Sequence, residues 1–327
     1  DMMKNPIPVI DITAFLEGDA VAKARVSQKV AHAAQTIGFV ILSGHKIPQS
    51  LFDEVFTKGF EFFDLPDADK FKWHPTGPAK QRGYHGIATR GLSATLGKDA
   101  PKDLRESLFL GPIDNRAADF VHIPEAATAY APNLIPDAPS GFDSALVSLY
   151  RAFEELSASL LRIFAIATQM PENHFAPLIK KHFSILSAHH YPALTEPPLP
   201  GQLRTGAHTD YGAMTILAMT GAKGGLQVQR DGDWVPVRPP KGALVVNLGD
   251  MMQRWTNDKW VSTMHRVVTP ENLNDAMSRR MSIGYFMHPD YDAQIECLPS
   301  CVDDGILYPP ITAGDHIRKK IEASHAK

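Results

Sequence analysis

The sequence predicts an α+β chain that is mainly β in its C-terminal half: a barrel or sandwich of short strands buttressed by N-terminal and central helices. Three observations carry that expectation. Leu146, Leu149, Phe153, Leu156, Leu160, Ile163 and Phe164 recur at three- and four-residue steps, so 141–170 reads as one long amphipathic helix ended by Met170-Pro171. From about Ser184 the period shortens to two, in seven or eight short runs separated by turns. No internal repeat or linker divides the 327 residues, so 1–140 and 141–327 read as an N-terminal region and a catalytic core integral to one body.

Taken in order, Pro8-Val9-Ile10-Asp11-Ile12 is a short strand. A helix from about Asp19 to Thr36 follows, with Val26, Val30 and Ala33/Ala34 on one face and Gly38 just beyond its end. Gly38–Leu42 is a buried strand stopped by Ser43-Gly44, and a second helix spans Pro48 to Phe63 ahead of Leu65-Pro66. Residues 73–141, rich in Gly and Pro, read as long loops with short elements, the kind of segment that often covers an active site. Beyond the long helix, strands are expected at 185–191, 215–219, 226–229, 234–238, 243–248, 261–268 and 281–287, with Asp231-Gly232 as a hairpin signal.

Composition narrows the function classes. With 44% hydrophobic and 21% charged residues, the chain is that of an ordinary globular protein. Its 33 basic and 36 acidic residues give a formal charge of −3 with no basic stripe, which argues against nucleic acid and anionic membranes as partners. No apolar run approaches the roughly 18 residues a membrane helix needs. The opening Asp1–Pro6 lacks the apolar stretch of a signal peptide. The only cysteines, Cys297 and Cys301, read as free thiols in a reducing cytoplasm. The expectation is a cytoplasmic protein, monomeric or weakly self-associating.

Fourteen histidines make any single one uninformative. His208-Thr209-Asp210 is more specific, because positions i and i+2 of a strand share a face and can bind one metal together. A histidine from a distant strand would complete two imidazoles and a carboxylate, a set that leaves positions open on iron(II) for oxygen chemistry. His265, 57 residues on, is the best candidate. His288-Pro289-Asp290 repeats the pattern, but Pro289 cannot donate in a sheet ladder. Fifteen residues past His265, Arg280-Met281-Ser282 places a guanidinium fork and a hydroxyl on one strand face, suited to a carboxylate. A small dicarboxylate held by iron at one end and Arg280 at the other accounts for both features. Either alone is more often an ordinary polar pair or a surface ion pair.

Together these residues resemble the iron(II)- and 2-oxoglutarate-dependent dioxygenases, in the branch like isopenicillin N synthase. The likeness runs along nearly the whole chain. It includes Ile7–Asp11, Gly38–Pro48, Phe62–Pro66, Asp103–Glu106 and Pro132–Pro136, where Trp is more usual than Ile135. In the second half come Gly206–Gly212, Asn247–Asp250, Trp255–Asp258, His265–Val267 and Arg280–Ser282. The resemblance implies a double-stranded β-helix, or jelly-roll, core. It implies His208, Asp210 and His265 as iron ligands and catalytic centre, with Arg280, Ser282 and Tyr191 on the distal carboxylate of 2-oxoglutarate. Many relatives carry Asn two residues before that Tyr and Arg two before the Asn; this chain has His189 and Ser187. His189 therefore reads either as a polar core residue or as a group that tunes the site.

The cofactors implied are Fe(II), 2-oxoglutarate as cosubstrate, and O2. The activity implied is oxidative decarboxylation of 2-oxoglutarate to succinate and CO2 coupled to hydroxylation, or a related C–H oxidation, of a small molecule. Arg82, Tyr84, Phe109, Tyr211 and Phe286 are the candidates for lining the substrate pocket. Two competing readings remain open at this point. One is an oxidase of the same fold that uses no 2-oxoglutarate; the other is a non-catalytic barrel that binds a small ligand.

Overall fold

The structure, a computed structural model, describes residues 7–77, 79, 81–87, 105–193, 203–221, 225–269 and 278–326. Asp103 and Leu104 of the N-terminal motif lie outside the described residues.

Seven α-helices occur among those residues: α1 Thr13–Glu17, α2 Ala20–Thr36, α3 Gln49–Phe63, α4 Asp67–Phe71, α5 Phe142–Ala167, α6 Asp250–Trp255 and α7 Ala313–His325. The Asp19 carboxylate accepts from the Ala22 amide to cap α2, as its place before the periodic run predicts. In α5 every one of the seven periodic apolar residues is buried. Its end is tied off by the Thr168 hydroxyl, which donates to the carbonyls of Phe164 and Ala165.

The strands are β1 Val9–Asp11, β2 Phe39–Ser43, β3 Gly83–His85, β4 Glu106–Leu110, β5 Ile185–Tyr191, β6 Thr205–His208, β7 Met214–Gly221, β8 Leu226–Arg230, β9 Asp233–Pro236, β10 Leu244–Leu248, β11 His265–Val267, β12 Arg280–Met287, β13 Gln294–Ile295 and β14 Ile311–Thr312. Eight of them form one sheet in the order β1-β2-β10-β7-β12-β5-β4-β3, and β6-β11-β8-β9 form a second. Strands β13 and β14 pair apart. The N-terminal region therefore supplies both edges of the large sheet, whose centre comes from the C-terminal half.

Strand alternation sorts the large sheet into two faces. Val40, Leu42, Leu244, Val246, Ile216, Ala218, Met281, Ile283, Tyr285, Leu186, Ala188 and Leu108 join the helices in the main core. On the other face Phe39, Ile41, Tyr191 and Val245 meet Leu226, Val228 and Val267 of the small sheet in a second core. Both faces being covered, β5 and β10 are buried along their whole length. The functional residues belong to the face that looks toward the small sheet.

Two expectations needed correction. The strand anticipated at 261–268 shrinks to 265–267, because its first residues are satisfied by a neighbouring helix end. Val261 donates its amide to the Ala34 carbonyl, and the Thr263 hydroxyl donates to the Ile37 carbonyl. Asp210 is not on a strand with His208; β6 ends at His208, and Asp210 sits in the connection that leads to β7.

Candidate metal centre

His208 and His265 stand directly opposite each other on the antiparallel pair β6/β11. Their rings lie 4.3 Å apart between centroids. The Asp210 Oδ1 atom lies 3.4 Å from His208 Nε2 and 3.5 Å from His265 Nε2. All three ligand atoms fall within 4.8 Å of one another, and this is the one such His/Cys/Asp/Glu group found among the described residues.

Each ligand has its other polar atom engaged elsewhere. His208 Nδ1 donates to the Gly206 carbonyl at 2.7 Å and His265 Nδ1 to the Thr263 carbonyl at 3.0 Å. A carbonyl can only accept, so both imidazoles carry the proton on Nδ1 and turn a bare Nε2 inward. Asp210 Oδ2 accepts from Thr215 Oγ1 at 2.5 Å and from Asn247 Nδ2 at 2.7 Å, leaving Oδ1 for a cation. Burial alone would push the Asp210 carboxyl up, but His265 and the His208 contact hold it well below the usual carboxylate range. His265 is moved the opposite way: burial lowers it, but the charge and hydrogen bond of Asp210 together with the Thr263 carbonyl outweigh that and raise it. Two neutral nitrogens and one anionic oxygen suit iron(II).

Arg280 opens β12 on the same face, with Ser282 two residues on and in register with His189 and Met219. Its guanidinium is buried and lies 5.2 Å from the centre of the Tyr191 ring. Nη2 has only the soft Met219 sulfur at 3.2 Å, and Nε has no hydrogen-bond partner among the described residues. A buried cation left so poorly matched calls for an anion. Gly225 makes room for it: a Cβ there would lie 1.6 Å from Arg280 Nη1. The Tyr191 hydroxyl is 3.1 Å from Thr205 Oγ1, which also accepts from Arg105 Nη1 at 3.0 Å.

His189 lies on this inward face, buried, with Nδ1 2.6 Å from the Ser107 hydroxyl. Burial first, then Arg105 and His208, hold its imidazole neutral far below the ordinary histidine range. Of the pocket candidates, Phe109 and Phe286 are half-buried on the inward face, and Phe109 is edge-on to His189 at 6.0 Å. Tyr211 follows Asp210 directly, and its carbonyl accepts from His316 Nε2 of α7 at 2.9 Å. A cavity of about 480 Å³ opens beside Ile185 and His288, under Ile317 and Ile321 of α7.

Tyr84 does not take the role the sequence reading gave it, whereas Arg82 lines the cavity beside Ile185 and His288 with its guanidinium engaged elsewhere. Tyr84 pairs with Leu108, so it points to the helical face, where its hydroxyl donates to Glu106 at 3.0 Å. Arg82 spends its guanidinium on the carbonyls of Gln81, Ala129 and Ala131, bracing the 129–131 segment. The second His-x-Asp also has other work. Asp290 Oδ1 accepts the Lys181 amide at 2.6 Å, and the His288 ring stacks on Phe183 at 5.0 Å.

The residues that sequence reasoning missed are the ones that hold the ligands. Thr215, Asn247, Gly225 and Arg204 had no assigned role. For Asn247 a signal existed: an amide inside Leu-Val-Val-Asn-Leu must find a buried partner.

The comparisons agree with this geometry. The 2OG-Fe(II) oxygenase superfamily matches residues 182–289, and the N-terminal domain described as non-haem dioxygenase in morphine synthesis matches 7–138. A 2-oxoglutarate-Fe(II) type oxidoreductase of Emericella nidulans, hxnY, is 32% identical over 98% of this chain and 90% of its own length. The proline hydroxylase buaE of Petromyces alliaceus is 34% identical over 88% of this chain and 89% of its own. Among solved structures, a full-length Neurospora crassa protein in complex with alpha-KG (2-oxoglutarate) and thymine aligns with a TM-score of 0.84 at 30% identity, covering 97% of each chain. A putative oxygenase from Caulobacter crescentus also reaches 0.84, at 28% identity over 98% of this chain and 99% of its own. With its sheet order, its paired histidines and its whole-length likeness to these proteins, the chain belongs to the 2-oxoglutarate- and iron(II)-dependent oxygenases, enzymes with a jelly-roll core that use Fe(II), 2-oxoglutarate and O2.

Proposed function

We propose that His208, Asp210 and His265 hold the iron(II), and that Arg280, Ser282 and Tyr191 take the distal carboxylate of 2-oxoglutarate. The observation that carries this is the division of labour at Asp210: Thr215 and Asn247 hold one oxygen while the other faces two Nε2 atoms. Bound there, iron(II) with 2-oxoglutarate and O2 supplies the oxidative decarboxylation that drives C–H oxidation of the primary substrate.

The chain's own part is binding, orientation and exclusion of water. The Gly206 and Thr263 carbonyls fix both imidazoles, so no ring must turn to meet the metal. Arg280, buried between Tyr191 and Met219, sets the reach of the diacid. Phe109, Tyr211 and Phe286 present half-buried aromatic surface, and a small, flat, partly apolar molecule is the substrate class they suit. The thymine in the Neurospora crassa complex and the name of the proline hydroxylase support a small ring compound.

The test is anaerobic titration of the Fe(II)-loaded protein with 2-oxoglutarate, watching for the weak visible charge-transfer band of the chelate. The band is expected in the unmodified protein and lost in Arg280→Ala at the same cosubstrate concentration. Iron binding without a band would transfer Arg280 to a substrate carboxylate and favour the oxidase reading. No iron binding would sink the ligand assignment itself.

A further inference from the structure

We propose that Arg204 is a second cationic anchor for the distal carboxylate, acting with Arg280 around the ring of Tyr191; this rests on the cosubstrate reading above. Arg204 precedes β6, four residues before His208, and is 1% exposed. Its guanidinium carbon lies 5.5 Å from the centre of the Tyr191 ring, and that of Arg280 lies 5.2 Å from the same centre.

Among the described residues the hydrogen bonding of both groups is incomplete. Arg204 Nη2 donates to the Pro192 carbonyl at 3.0 Å, but its Nε is buried without a partner among the described residues, as is Arg280 Nε. Among the described residues neither arginine pairs with a carboxylate; the groups acting on Arg204 are Arg280, which repels it, and Tyr191. Burial and that repulsion bring Arg204 down to about 10. Arg105, donating to Thr205 beside the Tyr191 hydroxyl, adds a third positive charge nearby. Two fixed cations placed together out of water, with no acid paired to them among the described residues, are costly, and a bound anion relieves the cost. A carboxylate has two oxygens and about four acceptor positions, enough for two guanidinium groups and the neighbouring hydroxyls. An arginine that only propped Tyr191 would satisfy the same cation–π geometry, but its loss would not distinguish between ligands by their far end.

Full-length protein loaded with Mn(II) is titrated calorimetrically with 2-oxoglutarate and with 2-oxobutyrate, a 2-oxo acid that lacks the distal carboxylate. Loss of one charge-assisted contact predicts that Arg204→Met raises Kd for 2-oxoglutarate by about tenfold or more. Its Kd for 2-oxobutyrate should stay within about twofold, and Arg204→Lys should recover part of the loss for the diacid. Equal weakening of both acids, or of neither, would overturn the proposal and leave Arg204 as a prop for Tyr191. If Arg280→Met also failed to discriminate between the acids, the cosubstrate reading itself would fall, which is a separate result. Should Arg204→Met not fold by circular dichroism, Arg204→Lys decides: selective weakening of the diacid supports the anchor, and unchanged affinity overturns it.

Discussion

At the scale of single residues, the centre works because atoms that could wander are occupied. Asp210→Asn keeps the shape but replaces an anionic oxygen by a neutral amide, so iron(II) affinity should fall at least a hundredfold with little change in fold; equilibrium dialysis against a chelator reads this directly. Near-normal iron retention would remove Asp210 from the ligand set. Gly225→Ala tests the other end. Its Cβ would land 1.6 Å from Arg280 Nη1, so the guanidinium must move. The expected result is intact iron binding with 2-oxoglutarate affinity reduced by about tenfold or more, since one misplaced charge-assisted bond is worth about 1.5–3 kcal/mol. An unchanged charge-transfer titration in that variant would show that Arg280 tolerates displacement.

The same scale shows what the sequence could and could not reveal. The His208, Asp210 and His265 cluster and the buried Arg280 were legible as candidates because residue types suited to metal ligation and anion forks have few chemical substitutes, and the order in which they recur is specific. Tyr84 was misplaced because a single strand register decides its face, and nothing in Arg82-Gly83-Tyr84 states which partner pairs with Leu108. Thr215 was silent, and Asn247 signalled only that it needed some buried partner, because that partner, an aspartate in a loop, becomes their neighbour only when β7 and β10 pair.

At the scale of elements, a buried polar network ties the helices to the back of the sheet. Glu106 on β4 accepts from Lys70 Nζ of α4 at 2.9 Å and from Tyr84 of β3, with His190 Nδ1 of β5 3.3 Å away. Arg279 donates to His190 Nε2 at 2.9 Å and pairs with Asp64 after α3. Burial works to raise Glu106, but His190 and Lys70 outweigh it, and its carboxyl ends below its ordinary value of 4.5. A depressed carboxyl stabilises the fold above the unfolded-state pKa and loses that contribution as pH falls through the folded value. Glu106→Gln should therefore cost about 3 kcal/mol near pH 7, because Lys70 is left buried without its partner. The gap between variant and parent should narrow below about pH 4, as read by denaturant unfolding across pH. A constant gap from pH 7 to pH 3 would show that the charge of Glu106 contributes nothing. Helices α2, α3 and α5 were readable to within a few residues because their apolar period is long and their caps are local. Strand β11 was not, since the partners of Val261 and Thr263 come from the end of α2, more than 220 residues earlier.

For the whole molecule, the two sheets make one body, and no helix among the described residues is long and apolar enough to cross a membrane. Ligands that bind only the folded state add stability by mass action, about 2.7 kcal/mol at a hundred times Kd. Stripping metal and cosubstrate should lower Tm by a few degrees in a chain of this size. Adding 2-oxoglutarate to metal-free protein should restore much less than adding it after Mn(II), and differential scanning calorimetry of the four states checks both. Equal shifts with and without metal would mean that the diacid binds independently of the triad.

The placement of Asp210 has one more consequence. His208 and His265 ride on the small sheet, whereas the Asp210 carboxylate is lashed to β7 and β10 of the large one. Held by the proposed ligands, the cation would act as a rivet between two layers that meet only when the chain has finished closing. A half-assembled intermediate would hold two of the proposed ligands at most and bind iron weakly, which would make metal capture a checkpoint: the redox-active ion would be retained only by chains that have completed the enclosure able to contain its chemistry.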